Sequence, residues 1–149
     1  MDSKKYILMG IGNTLRADDG IGSIIAQNFK DRDWLSLDCG VVPENFTSII
    51  KKNRPGLVVL IDAVEMGLKS GEFRKISPER ISTLRLTTHS MPLSFLISYL
   101  EEYTKSIVFI GIQPKIIDYS YLISPEVLKS SEKIIKILKN KNFKLLKKL

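Results

Sequence analysis

Leu57-Val58-Val59-Leu60-Ile61-Asp62-Ala63, entered through Pro55-Gly56, decides the architecture of this chain. The run is apolar without alternation, and a parallel sheet buries such a strand on both faces. Pro-Gly ahead of it punctuates the turn into the strand. A strand hidden on both sides needs strands beside it and helices above and below.

Those neighbours are found on either side. Lys5–Gly10 (KYILMG) and Ile107–Ile112 are further short apolar runs, the first leading into Gly-x-Gly-Asn. Trp34–Cys39 (WLSLDC) alternates and closes at Gly40, and Glu72–Ile76 reads as a shorter strand at an edge. Between them apolar residues fall at helical spacing. Ile21 to Phe29 carries them at 21, 24, 25 and 29, and Pro43 to Lys52 carries Phe46, Ile49 and Ile50. Ser90 or Met91 caps a helix with Pro92 at its start, burying Leu93, Leu96, Ile97 and Leu100. Ser124-Pro125-Glu126 opens the last helix, which turns Val127, Ile134, Ile135 and Leu138 inward. The order β-α-β-α-β-β-α-β-α predicts an α/β fold: a mostly parallel, twisted sheet of about five strands with helices on both faces.

With 149 residues, the chain can bury roughly two-thirds of its unfolded surface, enough for one core. No linker, repeat or low-complexity stretch divides it, so residues 1–149 read as a single domain. Cys39 is the only cysteine, which excludes an intrachain disulfide and points to a reducing, cytoplasmic compartment. No apolar run approaches the ~20 residues of a membrane span, so no membrane insertion is expected. The N-terminal segment is too short and too interrupted for a signal peptide.

A net charge of +7 invites a nucleic-acid reading. Its location argues otherwise. Residues 129–149 hold eight lysines against Glu132, leaving 15 basic and 15 acidic residues in 1–128. The body is neutral, a poor match to a phosphate-tracking groove. The basic tail, roughly 142–149, reads as the end of a solvated helical face running into a frayed terminus. A sharper reading is electrostatic docking to an acidic surface.

Sites in open α/β sheets gather outside the carboxyl ends of the strands. There stand Gly10, Gly12, Asn13, Asp18 and Asp19 after the first strand, Asp38 after the second, and Asp62 at the end of the third. His89, the only histidine, lies in Thr87-Thr88-His89-Ser90 just before a helix. Two carboxylates and an imidazole suit a divalent metal with open positions for water or substrate. Each residue also has a plainer role. Asp18 or Asp19 before Gly20 can cap a helix, Asp38 can accept from turn amides, and His89 can be an ordinary loop residue. Asp62 is harder to dismiss, because a carboxylate ending so apolar a strand must be partnered or functional. Cys39 reads as a small buried apolar residue. Gly10-Ile11-Gly12 is not a dinucleotide fingerprint: the third glycine position holds Leu15, and two aspartates would face the pyrophosphate. A Walker loop is also missing from the sequence.

GIGNTLRADDGIG (residues 10–22), DCGVVPENF (38–46), LIDAVEMGLKSGEFRKI (60–76), TTHSMPLSFLISYL (87–100) and IGIQPK (110–115) follow one another in order. Together they resemble the nickel–iron hydrogenase maturation proteases, most closely the branch serving hydrogenase 3-type enzymes, up to about Val127. The resemblance implies a three-layer α/β/α sandwich and a metal-dependent, aspartic-type endopeptidase. Such an enzyme removes the C-terminal extension of a hydrogenase large-subunit precursor after nickel insertion. By position, it assigns catalysis and metal contact to Asp19, Asp62 and His89. The nickel is the precursor's own rather than a resident cofactor, and the same donors accept other divalent cations. Acting on a large folded precursor favours a monomer, and no nucleic-acid partner is implied. The family has no serine or cysteine nucleophile, so Cys39 is expected to be dispensable.

Two other readings compete. Peptidyl-tRNA hydrolases, a class of esterases, also begin with a strand and Gly-x-Gly-Asn, but they use an early histidine and none precedes His89 here. A nickel-sensing maturation chaperone without cleavage is the second.

Overall fold

The computed structural model describes residues 5–86 and 92–149, with the backbone alone for Arg85 and Leu86. Five strands lie side by side: β1 (Tyr6–Ile11), β2 (Trp34–Gly40), β3 (Leu57–Glu65), β4 (Phe73–Ile76) and β6 (Ser106–Ile112). Their spatial order is β2-β1-β3-β6-β4, and a two-residue β5 (Arg85–Leu86) pairs off this path with β3. All pairings among β2, β1, β3 and β6 are parallel, and β4 runs antiparallel on β6. The expected mostly parallel sheet of about five strands is therefore present, with its short strand at an edge.

Helices cover both faces. On one, α1 (Ile21–Asn28) and α5 (Pro125–Asn140) bury Ile21, Ile25, Val127, Ile134 and Leu138 against Leu8, Val59, Ile61 and Ile110. On the other, α2 (Thr47–Asn53), α3 (Pro78–Ile81) and α4 (Leu93–Leu100) bury Ile50, Ile81, Leu93, Leu96 and Leu100 against Ile7, Met9, Val58 and Leu60. Alternate residues of β1 and β3 thus face opposite cores, which is why neither strand shows polar alternation.

The β3 run extends past the expected Ala63 to Glu65. It persists because β6 pairs with it through Ala63↔Ile112 and β5 then takes up Val64 and Glu65. Pro43–Phe46 forms a 3-10 turn ahead of α2 rather than the start of one continuous helix. Ser90 and Met91, the expected cap of α4, lie outside the described residues; the helix itself begins at Leu93, just after Pro92.

The lysine-rich end does not fray as expected. Helix α5 stops where Lys141 adopts a left-handed conformation (φ 55°), and Asn142 N–H reaches back to the Ile137 carbonyl at 3.0 Å. The chain then turns onto the sheet. Leu146 is buried with Ile137 and Leu138, Lys75 N–H donates to the Lys147 carbonyl at 2.7 Å, and Leu149 N–H to the Lys75 carbonyl at 3.0 Å. The last residues cover the outer edge of β4, which would otherwise present unpaired backbone groups.

One glycine fixes how closely α1 lies on the sheet. A Cβ on Gly22 would collide with the carbonyl oxygens of Ile11 and Ile61, both backbone atoms that cannot give way. Gly22→Ala should therefore cost roughly 3 kcal/mol in urea unfolding, through displacement of α1.

Candidate functional site

The segment between β1 and α1 carries the first acids. After Ile11 the chain turns through Gly12-Asn13 and enters a 3-10 turn, Ala17–Gly20. Asn13 N–H donates to the Asp19 carbonyl (3.1 Å), and Gly12 N–H to Gly40 at the end of β2 (2.9 Å). Gly12 is required there, because a Cβ would strike the Asp19 carbonyl oxygen. Ala17, just before the two acids, has a positive φ of 49°, uncommon for a residue with a side chain, and is buried. The turn is thus held against a local backbone preference by its surroundings. Asp18 and Asp19 are both fully buried (0% exposed).

Neither acid stands at an N-cap position, which is Arg16 for the 3-10 turn and Gly20 for α1. Asp18 is instead a hub. One carboxylate oxygen accepts from Lys115 N–H (2.9 Å), Ile116 N–H (3.0 Å) and the Ser124 hydroxyl (2.7 Å). The other accepts from Ser124 N–H (2.7 Å). Its own N–H donates to the Ile116 carbonyl (3.0 Å), Ala17 N–H to Ser120 (2.7 Å) and Ser120 N–H to Leu15 (3.0 Å). Asp18 therefore welds the loop between β6 and α5 onto the loop after β1. Local spacing gave no sign of this role, since every acceptor contact is about a hundred residues away in sequence. Four exposed apolar side chains, Leu15, Tyr119, Tyr121 and Leu122, border a surface pocket of about 460 Å³ on these joined loops.

Asp62 lies on β3, opposite Gly111 of β6. On its other side the β1 pairing ends one residue earlier, at Gly10↔Ile61. Asp62 thus stands where β1 peels away into the loop that carries Asp19. It is fully buried, and one of its carboxylate oxygens accepts from Ala63 N–H at 2.8 Å. The 3-10 turn containing Asp19 packs on β3, and Gly22 lies against the carbonyl of Ile61. Asp19 and Asp62 are therefore brought to the same carboxyl edge of the sheet. His89 lies outside the described residues. Leu86, three residues before it, pairs with Val64, two residues beyond Asp62. Among the described residues, no group of three His, Cys, Asp or Glu side chains gathers as a metal site.

The remaining candidates take the plainer roles. Asp38 is exposed; it accepts from Gly40 N–H (3.2 Å) and from the Gln27 side-chain amide (2.8 Å). Cys39, on β2, is buried in the core on the α2–α4 face of the sheet. Burial, reinforced by the charges of Asp38 and Glu44, pushes its thiol up to about 12. A thiol so far above neutrality is a poor nucleophile. At neutral pH iodoacetamide should leave folded protein unmodified at Cys39, as mass spectrometry will read. No helix among the described residues is long and apolar enough to cross a membrane.

Comparison with known proteins identifies the family and matches the fold. The family model described as hydrogenase maturation protease (HycI) matches residues 21–141, a span that includes Asp62 and His89 and begins two residues after Asp19. The hydrogenase 3 maturation protease of Escherichia coli is 38% identical over 119 residues, covering 77% of this chain and 76% of that protein. A putative hydrogenase maturation protease of Methanocaldococcus jannaschii is 33% identical over 147 residues, 91% of this chain and 86% of its own. The solution structure of the endopeptidase HycI from Escherichia coli superimposes with a TM-score of 0.87 at 32% identity, covering 97% of this chain and 96% of that one. Similarity thus runs beyond Val127 into the lysine-rich end. It also displaces the peptidyl-tRNA hydrolase alternative. The chain belongs to the hydrogenase maturation protease family.

Proposed function

We propose that this protein is a hydrogenase maturation endopeptidase that removes the C-terminal extension of a nickel–iron hydrogenase large-subunit precursor once nickel has been inserted. The observation that supports the reading is two fully buried carboxylates, Asp19 and Asp62, on elements that pack together at the carboxyl edge of the sheet. Carboxylates are seldom fully buried, and two of them at the edge where open α/β sheets gather their sites support a functional role. Oxygen donors with the imidazole of His89 suit a divalent transition metal such as nickel. The metal is the precursor's own, and when bound it polarises the neighbouring carbonyl.

The chain's own residues then do three things. Asp19, Asp62 and His89 hold the nickel-bearing end of the precursor so that the adjacent peptide bond is fixed in place, which itself lowers the barrier. A carboxylate oxygen of Asp19 or Asp62 takes a proton from the attacking water, whose oxygen bonds to the carbonyl carbon. That proton passes to the departing amine as the C–N bond breaks. The apolar rim of Leu15, Tyr119, Tyr121 and Leu122 borders these loops and offers the extended substrate chain a surface to lie on. The enzyme acts as a monomer in the cytoplasm, without nucleic acid.

Purified protein incubated with nickel-loaded precursor tests the reading. Trimming to two fragments supports it. Binding without trimming would establish the chaperone instead, and neither would remove both.

A further inference from the structure

A groove of about 480 Å³ runs along the other margin of the sheet, between β4 and α5. The turn before β4 closes one end and the C-terminal segment closes the other. Five basic side chains line it, Lys69, Arg74, Lys129, Lys133 and Lys147, against Glu72 and Glu126. Glu72 pairs with Arg74 and one oxygen of Glu126 with Lys115, each at 3.8 Å, while the other Glu126 oxygen is buried without a hydrogen-bond partner. No carboxylate among the described residues pairs with the other four lysines, all of them exposed.

Lys129 and Lys133 are one helical turn apart and so repel each other on the same face of α5. Lys147 owes its place to the backbone bonds that tie the C-terminal residues to Lys75. The cations are thus set on an ordered framework of helix, strand edge and docked tail. They come from four segments: Lys69 from the turn before β4, Arg74 from β4 itself, Lys129 and Lys133 from α5, and Lys147 from the docked tail. Cations spread over several segments of one groove are complementary to a chain bearing several carboxylates. A nucleic acid would need a longer basic track, and the remainder of the protein is neutral.

We propose that this groove docks an extended acidic segment of the hydrogenase precursor, anchoring the client while its C-terminal end reaches the carboxyl edge of the sheet. The inference rests on the proteolytic reading above. It also places three of the eight C-terminal lysines, Lys129, Lys133 and Lys147, on a shaped surface.

Truncating the tail would uncover β4, so charge reversal on the exposed face of α5 is the cleaner test. The full-length Lys129→Glu/Lys133→Glu variant, checked for unchanged circular dichroism, is compared with wild type on purified nickel-loaded precursor. KM should rise about tenfold or more with kcat unchanged. A hexaglutamate peptide should inhibit the wild type competitively and the variant hardly at all. Raising salt from about 50 to about 300 mM should reproduce the KM rise in the wild type only. A KM within twofold of wild type overturns the proposal. Inhibition by inorganic phosphate or by a single-stranded oligonucleotide as strong as that by hexaglutamate also overturns it. If the wild type binds the precursor without cutting it, the proteolytic reading fails separately. Docking is then judged on Kd, where equal values for wild type and variant would overturn it.

Discussion

Asp62→Asn should leave the precursor uncleaved, with a processing rate lower by between about 10² and 10⁴, while the protein folds and melts as before or at a slightly higher temperature. The substitution is isosteric, so packing beneath the sheet is kept. It removes a charge from a fully buried position between Gly111 of β6 and the departing end of β1. If that carboxylate serves only the fold, its loss should lower the melting temperature. If it is held there for chemistry, stability is neutral or gained and activity is lost. Thermal unfolding by circular dichroism and a precursor-processing assay on the same preparation separate the two. Full activity in Asp62→Asn would remove the residue from the mechanism.

Asp18→Ala should show the reverse pattern in its most direct readout. Its carboxylate accepts four hydrogen bonds from Lys115, Ile116 and Ser124, and removing it strands three backbone N–H groups and one hydroxyl. Hydrogen bonds to a charged group contribute about 1.5–3 kcal/mol each, though not additively. A net loss of roughly 4 kcal/mol is expected, which lowers the melting temperature by roughly 10 °C for a chain of this size. Asp18→Asn should recover little, because an amide has one acceptor oxygen for donors that approach both carboxylate oxygens. An unchanged melting temperature in Asp18→Ala would contradict the hub assignment.

The contrast between these neighbours shows where the sequence was informative. The doubly buried character of β3, the edge position of β4 and the helical faces of α1, α4 and α5 were legible because periodicity reports burial directly. Asp62 stood out for the same reason, as a charge in an apolar strand. Asp18 and Asp19 could not be told apart locally: the role of Asp18 depends on a loop about a hundred residues away, and only the folded chain brings Ser124 to it. The C-terminal segment misled because its lysine content resembles a solvated tail. Leu146 and two backbone hydrogen bonds at the β4 edge outweigh that composition. Cys39 was read correctly from its type and setting, and Cys39→Ser should process precursor at the wild-type rate.

The central claim is that Asp19, Asp62 and His89 act on one divalent cation. Crystals soaked in nickel salt and measured at the nickel absorption edge test it most directly. The account predicts a single strong anomalous peak at the carboxyl edge of the sheet, within coordinating distance of both carboxylates and the imidazole. A peak elsewhere, or one contacted by only one of the three residues, would contradict it.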